Sequence, residues 1–188
     1  MRVGLLGGSF NPAHAGHLHI ARIALAQLRL QQVWLLVSPG NPLKPARGMA
    51  PLAQRLASAG ALTDGRRVVA TGIEAALGTR YTVDTLRLLR QRFPRAHFIW
   101  LMGADNLAQL LRWRRWRRII GLMPFAVLPR PTYNHRALAS PAALRLRSSR
   151  RPASAASMLA TTEAPGWIFL PVRQHHASAT AIRQAMGE

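Results

Sequence analysis

The chain has 188 residues, enough for one domain, and its 49% apolar content can bury a sizeable core, made mostly of Leu, Ala, Ile and Val because only 6% of residues are aromatic. It has no cysteine, which excludes disulfide frameworks, thiolate zinc sites, cysteine nucleophiles and thiol-ligated iron–sulfur clusters. The balance of 26 basic against 6 acidic residues, net +20, points to anionic partners such as nucleotides, nucleic acid or acidic lipid, although an Arg-rich, Lys-poor composition is also what a GC-rich coding sequence gives.

Taken in chain order, residues 3–6 read as a buried strand ended by Gly7, Gly8 and Ser9. Residues 17–30 carry apolar side chains at helical spacing, and 33–37 form a second buried strand closed by a Pro- and Gly-rich loop at 39–42. Residues 51–62 are a helix candidate with proline at its first position, and 67–71 a third strand. A helix over 82–93 places Val83, Leu86, Leu89 and Phe93 on one side, and 97–102 is another buried strand. Residues 105–121 are helical in pattern but heavily basic in their second half. Strands at 125–128 and 167–170 and a closing helix over 178–186 complete the pattern. Between 130 and 165 the periodicity gives way to Ala, Ser, Arg and Pro, which reads as an irregular surface excursion from a single domain spanning 1–188.

Apolar strands alternating with amphipathic helices predict an α/β fold, a Rossmann-like parallel sheet with helices on both faces. Ligands of such sheets sit beyond the carboxyl ends of the strands. No apolar run reaches the length of a membrane span and the N-terminus lacks a secretory pattern, so the expectation is a soluble, cytoplasmic protein.

The richest segment lies between the first strand and the first helix, from Gly7 through Gly8, Ser9, Phe10, Asn11, His14 and Gly16 to His17. Glycines let a phosphate approach the backbone, a helix N-terminus offers free N–H groups and partial positive charge, and two histidines add donors. The segment is neither a Walker A loop nor a G-x-G-x-x-G turn. Two other readings stay open at this point. One is a tight turn with incidental histidines; the other is a zinc site from His14, His17 and His19, which lacks a cysteine or nearby carboxylate to complete it.

Gly8 to Pro12 followed by His14, Ala15, Gly16 and His17 resembles the H-x-G-H element of the nucleotidyltransferase superfamily, whose α/β fold is shared with class I aminoacyl-tRNA synthetases. Within it, further segments resemble bacterial nicotinate-nucleotide adenylyltransferases: the proline-rich 39–45, Tyr81 to Leu86 (Y-T-x-D-T-L), Gly103-Ala104-Asp105 with Trp113 beyond it, Arg130 to Tyr133 (R-P-x-Y), and Ser178 to Arg183 (S-x-T-x-x-R). The matches run in order over nearly the whole chain.

The resemblance implies adenylyl transfer from ATP to nicotinate mononucleotide, giving deamido-NAD and pyrophosphate in NAD biosynthesis, with no covalent enzyme intermediate. It implies ATP contacts from Gly7, Gly8, Ser9, Phe10, His14, Gly16, His17, Gly103, Asp105, Ser178, Thr180 and Arg183. Of these, His14, His17 and Arg183 would stabilise developing charge on the phosphates. Loss of one such donor typically costs about 3 kcal/mol, and an imidazole beside phosphate oxygens should hold its proton more readily than a free one, whose pKa is about 6.5. Lys44, Thr82, Asp105, Trp113, Arg114 and Arg130 would receive the acceptor, Trp113 by stacking on the pyridine ring and the Thr82 and Arg114 N–H groups by binding its carboxylate. Trp116 reads as a packing residue. Magnesium would ride on the ATP phosphates, with no protein metal site.

Three departures stand out. Asn11 replaces the aspartate of many relatives, Leu43 occupies the place of a histidine in the proline-rich loop, and the chain ends at Glu188, where many relatives add a helix. Three other functions fit parts of the sequence. The first is another small adenylyltransferase, such as one acting on phosphopantetheine. The second is a nucleic-acid-binding module built on the Arg112–Arg118 run with its two tryptophans, and the third, least favoured, a tRNA synthetase fragment. A membrane partner is not expected, nucleic acid is the less favoured partner, and homo-oligomerisation is left open.

Overall fold

The computed structural model describes residues 1–40, 48–130 and 133–172. Among the described residues the apolar runs become seven strands: β1 (Arg2–Gly8), β2 (Gln32–Val37), β3 (Val68–Thr71), β4 (His97–Gly103), β5 (Phe125–Leu128), β6 (Arg150–Arg151) and β7 (Trp167–Phe169). They form one sheet in the order β3-β2-β1-β4-β5-β7-β6, and every neighbouring pair is parallel. Parallel strands need crossover connections, and these are supplied by α1 (Ala15–Gln27), α2 (Leu52–Ala61), α3 (Ile73–Ala76), α4 (Thr82–Arg92), α5 (Ala104–Gln109), α6 (Trp116–Leu122), α7 (Asn134–Leu138) and α8 (Pro141–Arg145).

Side chains alternate across the sheet, so each strand feeds two cores. Along β4, Ile99 and Leu101 join one core with Leu25 of α1, Leu28 just beyond it and Ala59 of α2. Trp100 and Met102 join the other, with Leu86 of α4, Leu107 of α5 and Ile119 of α6. The expected α/β sheet covered on both faces is the fold observed.

The chain adds β2 and β3 on one side of β1, then crosses to lay β4 on the other. At that reversal the loops after β1 and β4 leave the sheet in opposite directions and open a crevice beyond the strand ends. The register pairs Leu6 of β1 with Leu101 of β4, and Gly103 of β4 with Leu128 of β5. The carboxyl ends of β1, β4 and β5 therefore lie side by side.

Two stretches differ from the expectation. The helix foreseen over 105–121 is broken: after α5, a 3-10 turn at Leu110–Arg112 ends in an extended Trp113, and Arg115, with φ of 53°, precedes α6. A continuous helix would have wrapped the five arginines of this run around its cylinder and pushed some into the core. The break leaves Arg112, Arg114, Arg115, Arg117 and Arg118 all exposed while Trp113 and Trp116 pack against the core. The indoles that a nucleic-acid reading would stack on bases are thus partly buried, and Trp116 packs as expected.

The stretch read as an irregular excursion contains α7, α8, the short β6 and two 3-10 segments, Arg147–Ser149 and Ala153–Thr161. Its alanines are not surface filler: Ala137, Ala142 and Ala143 are buried in one core, Ala156 and Ala160 in the other. Small side chains let these turns approach the sheet closely. Trp167 of β7 fastens the stretch, stacking on Phe125 with ring centroids 5.6 Å apart and donating its indole N–H to the Leu146 carbonyl at 2.8 Å. Trp167→Phe keeps the stack but loses the hydrogen bond and leaves a void. We expect a loss of about 1–3 kcal/mol, read as an earlier midpoint in urea unfolding.

Candidate active site

The loop from β1 to α1 is held from below by Phe10, whose ring is 1% exposed and whose φ of 48° is left-handed. That conformation costs a residue with a Cβ about 1–2 kcal/mol, set against the burial of the ring. The sequence places Phe10 against the nucleotide; with its side chain in the core, only its backbone can meet one. Gly8 is crowded by the same ring, which a Cβ would meet at 3.2 Å, whereas the space beside Gly7 is open.

His14 caps α1. Its Nδ1 accepts the N–H of Gly16 at 3.1 Å, and its own N–H donates to Nδ1 of His17 at 3.2 Å. The two rings lie 3.8 Å apart. A ring nitrogen that accepts an N–H carries no proton, so each neutral imidazole holds its hydrogen on Nε2. The cap thus fixes the tautomer and leaves both rings as Nε2–H donors.

Burial, the neighbouring His14 and the Arg130 cation, in that order, lower the His17 pKa to about 3. The sequence-based expectation of an imidazole that holds its proton readily is therefore reversed in the ligand-free protein. Phosphate oxygens would have to overcome these three effects. The charge of Arg130, at the end of β5, is thus felt at His17 in the first loop.

At the ends of β4 and β5, Asp105 Oδ1 faces Arg130 Nε at 3.6 Å, the one ion pair among the described residues. The separation is too long for a hydrogen bond, and both atoms are buried without a hydrogen-bond partner. Gly103 makes room for this arrangement. A Cβ there would collide with Asp105 Oδ1 and stand 3.1 Å from Arg130 Nε. The Arg130 N–H is fixed by Asn134 Oδ1 at 2.9 Å.

A second group gathers on the α4–α6 face. Thr82 begins α4, where the first N–H groups have no intrahelical acceptor. Tyr81, which precedes it, lies under the Arg114 guanidinium at 4.4 Å. Trp113 leans on Trp100 of β4, with centroids 5.3 Å apart. The structure thus brings His14, Gly16, His17, Gly103, Asp105 and Arg130 to adjacent strand ends, and Thr82, Trp113 and Arg114 to this neighbouring cluster. Lys44, Ser178, Thr180 and Arg183, with the closing helix, lie outside the described residues. Among the described residues no group of three or more His, Asp or Glu side chains gathers that could hold a metal ion, so His14, His17 and His19 do not make a zinc site.

Two residues carry no mark in the sequence pattern. Arg55 of α2 is 2% exposed and spends its guanidinium on backbone carbonyls. Its one signal is a cation on the helix face that also carries Leu52, Leu56 and Ala59. Glu74 of α3 accepts the Thr85 hydroxyl at 3.2 Å, and burial raises its pKa. Asn11, which in the sequence is only a missing charge, uses both ends of its amide: Nδ2–H donates to the Gly48 carbonyl at 2.9 Å, and Oδ1 accepts the Ala50 N–H at 3.1 Å. An aspartate, ionised, could not make the first bond.

The family model described as cytidylyltransferase-like matches residues 5–185. A protein of Gluconacetobacter diazotrophicus is 64% identical over 182 residues, covering 97% of this chain and 85% of its own length. One of Gluconobacter oxydans is 60% identical over 185 residues, covering 98% and 95%. Both bear the name "Probable nicotinate-nucleotide adenylyltransferase". Among solved structures, the nicotinic acid mononucleotide adenylyltransferase of Plasmodium falciparum complexed with APC superposes with a TM-score of 0.68 at 13% identity, covering 97% of this chain and 82% of that one. At that identity the likeness is one of fold.

The histidine geometry makes a pH prediction. The folded pKa of about 3 lies below the unfolded value of roughly 6.5, so between them the unfolded chain binds the extra proton. His17 should therefore contribute stability in full above about pH 6.5 and lose it as pH falls toward 3. Its ring resonances in a ¹H–¹⁵N NMR titration should show the neutral Nε2–H form throughout the neutral range.

Proposed function

We propose that this chain, which belongs to the cytidylyltransferase-like family and within it to the nicotinate-nucleotide adenylyltransferases, transfers the adenylyl group of ATP to nicotinate mononucleotide. The 5′-phosphate oxygen of the mononucleotide attacks the α-phosphorus of ATP. The bond from that phosphorus to the bridging oxygen breaks, pyrophosphate leaves, and deamido-NAD forms. The names of the relatives support this reading, as does a second structure of the Plasmodium falciparum enzyme, complexed with NaAD. The reaction is taken to be cytoplasmic.

The observation that carries the reading is the pair of histidines joined by the α1 cap after β1, within the field of Arg130. A phosphoryl-type transfer between a good nucleophile and a good leaving group asks for positioning and for donors aimed at developing negative charge. His14 and His17 present Nε2–H groups whose tautomers the backbone has already fixed. Arg130 adds a guanidinium cation. Asp105, held opposite it, suits a ribose hydroxyl, which can donate to the carboxylate and accept from the guanidinium.

On the neighbouring face, the Thr82 N–H at the start of α4 and the Trp113 indole suit the ring carboxylate and the pyridine ring. A carboxylate takes charge-assisted hydrogen bonds that a carboxamide does not, which favours nicotinate over nicotinamide mononucleotide. Gly7, Gly8, Ser9 and Gly16 are assigned to the phosphates through their backbones, and Ser178, Thr180, Arg183 and Lys44 retain the roles given by the resemblance. Magnesium is expected to arrive on the ATP phosphates, since the described residues offer it no carboxylate cage of their own.

The test is pyrophosphate release with Mg-ATP and, in turn, nicotinate mononucleotide, nicotinamide mononucleotide and phosphopantetheine. Turnover should be selective for nicotinate mononucleotide, and His17→Ala should lower it by about a hundredfold or more without unfolding the protein. Turnover with phosphopantetheine alone would keep the superfamily and refute the acceptor. Full activity in His17→Ala would remove the histidines from the mechanism.

A further inference from the structure

Among the described residues Arg55 is a buried cation with no carboxylate partner, and its guanidinium is consumed by main-chain oxygens from three separate stretches. Nε–H donates to the Ala50 carbonyl at 2.8 Å, Nη1 to the carbonyls of Ser9 and Ser38, both at 2.7 Å, and Nη2 to that of Pro39 at 3.4 Å. Burial lowers its pKa, the direction expected for a charge held by dipoles alone. An arginine placed this way needs a reason, because a buried hydrophobic side chain would fill the space without the desolvation penalty.

The reason lies in what the carbonyls belong to. Ser9 is in the loop after β1; Ser38 and Pro39 are at the start of the loop after β2; Ala50 is near its end, two residues before α2. The planar fork reaches all three at once, which a lysine ammonium cannot do. Asn11 reinforces the same joint from the other side, accepting the Ala50 N–H while Arg55 takes the Ala50 carbonyl. The Ser9–Phe10 peptide is trans, since the cis bonds among the described residues are Asn11–Pro12 and Ala164–Pro165. In a trans peptide the N–H points opposite to the C=O. With the Ser9 carbonyl drawn toward α2, the Phe10 N–H is turned away from it, and the left-handed φ of Phe10 is held in place.

We propose that Arg55 is a positioning residue for nucleotide binding: it locks the loop after β1 to the loop after β2, so that the backbone donors of the first loop are aimed before ATP arrives. This role rests on the reading of that loop as the phosphate site, and it concerns ATP rather than the acceptor. It acts through the backbone and does not require Arg55 to touch a ligand. Preorganisation of this kind appears as affinity and rate, because misplacement of binding groups by about 1 Å can cost a hundredfold.

The experiment compares the parent protein with Arg55→Lys and Arg55→Ala. Equilibrium binding of Mg-ATP is measured without acceptor, thermal unfolding is followed by circular dichroism, and methylguanidinium is added at millimolar concentration. ATP affinity should fall by about tenfold or more in both variants at temperatures where they remain folded, and methylguanidinium should restore binding in Arg55→Ala but not improve the parent. Restoration by a free guanidinium is something a general loss of stability would not produce at a temperature where the variant is fully folded. A folded Arg55→Ala with ATP affinity within about threefold of the parent, or one that methylguanidinium does not restore, overturns the proposal. If the alanine variant does not fold, a folded Arg55→Lys with parental ATP affinity overturns it equally. Because acceptor is absent from the binding assay, a wrong acceptor would show in turnover and not here.

Discussion

A parallel sheet that grows first on one side of its initial strand and then on the other must leave a gap where the growth reverses. Here that reversal falls between β1 and β4, and the rest of the site depends on it. The loop after β1 turns into α1 and carries the histidines. The end of β4 carries Gly103 and Asp105, and the end of β5 delivers Arg130. These three groups are far apart in sequence. The strand register alone brings them to one edge. The two cores, one on each face, keep that register by fixing which side chains of β1 and β4 point up and which down.

The electrostatics of the site follow from a shortage of acids. With so few carboxylates in the chain, most cations must find solvent, aromatic faces or backbone carbonyls. Arg114 lies over Tyr81 and Arg117 over Trp116. Arg55 turns to main-chain oxygens. Arg130 has Asp105, but at a distance that leaves donor and acceptor atoms unspent. Burial first, then His14 and Arg130, keep the His17 ring uncharged, while Arg130 still presents positive potential to an anion. A cavity of about 410 Å³ beside the outermost strand β6, lined by Arg147, Arg150, Arg151 and Phe169, shows that positive surface is not confined to the crevice.

The fold is largely legible in the sequence because the strands are short apolar runs with turn residues at their ends, a signal that depends only on local pattern. The first loop is legible for the same reason: its glycines and histidines lie within a few positions of one another. What escapes depends on distance. That the charge of Arg130 is felt at His17 is a property of sheet order, which no local pattern carries. The break at Trp113 to Arg115 is hidden because the helical spacing of the tryptophans continues straight through it, and the need to expose five arginines overrides that periodicity. The alanines of the 130–165 stretch pass for surface because small side chains pack closely without the bulk that marks a core. Arg55 is hidden because a cation on an apolar helix face usually reaches solvent, and nothing local indicates that three chain stretches from two loops will converge on it.

The central claim is that the anion of the substrate sits at the β1–β4 reversal and is received by prepared backbone and imidazole donors. The most direct measurement is ¹H–¹⁵N NMR of the labelled protein titrated with Mg-bound, non-hydrolysable ATP. The largest shifts should fall on the amides of Phe10, His14, His17 and Gly103 and on the Nε2–H signals of the two histidines, with His14 and His17 keeping their tautomers. Shifts concentrated instead on Arg147, Arg150, Arg151 and Phe169, with the first loop unmoved, would contradict the claim and move the nucleotide site to the outer strands β6 and β7.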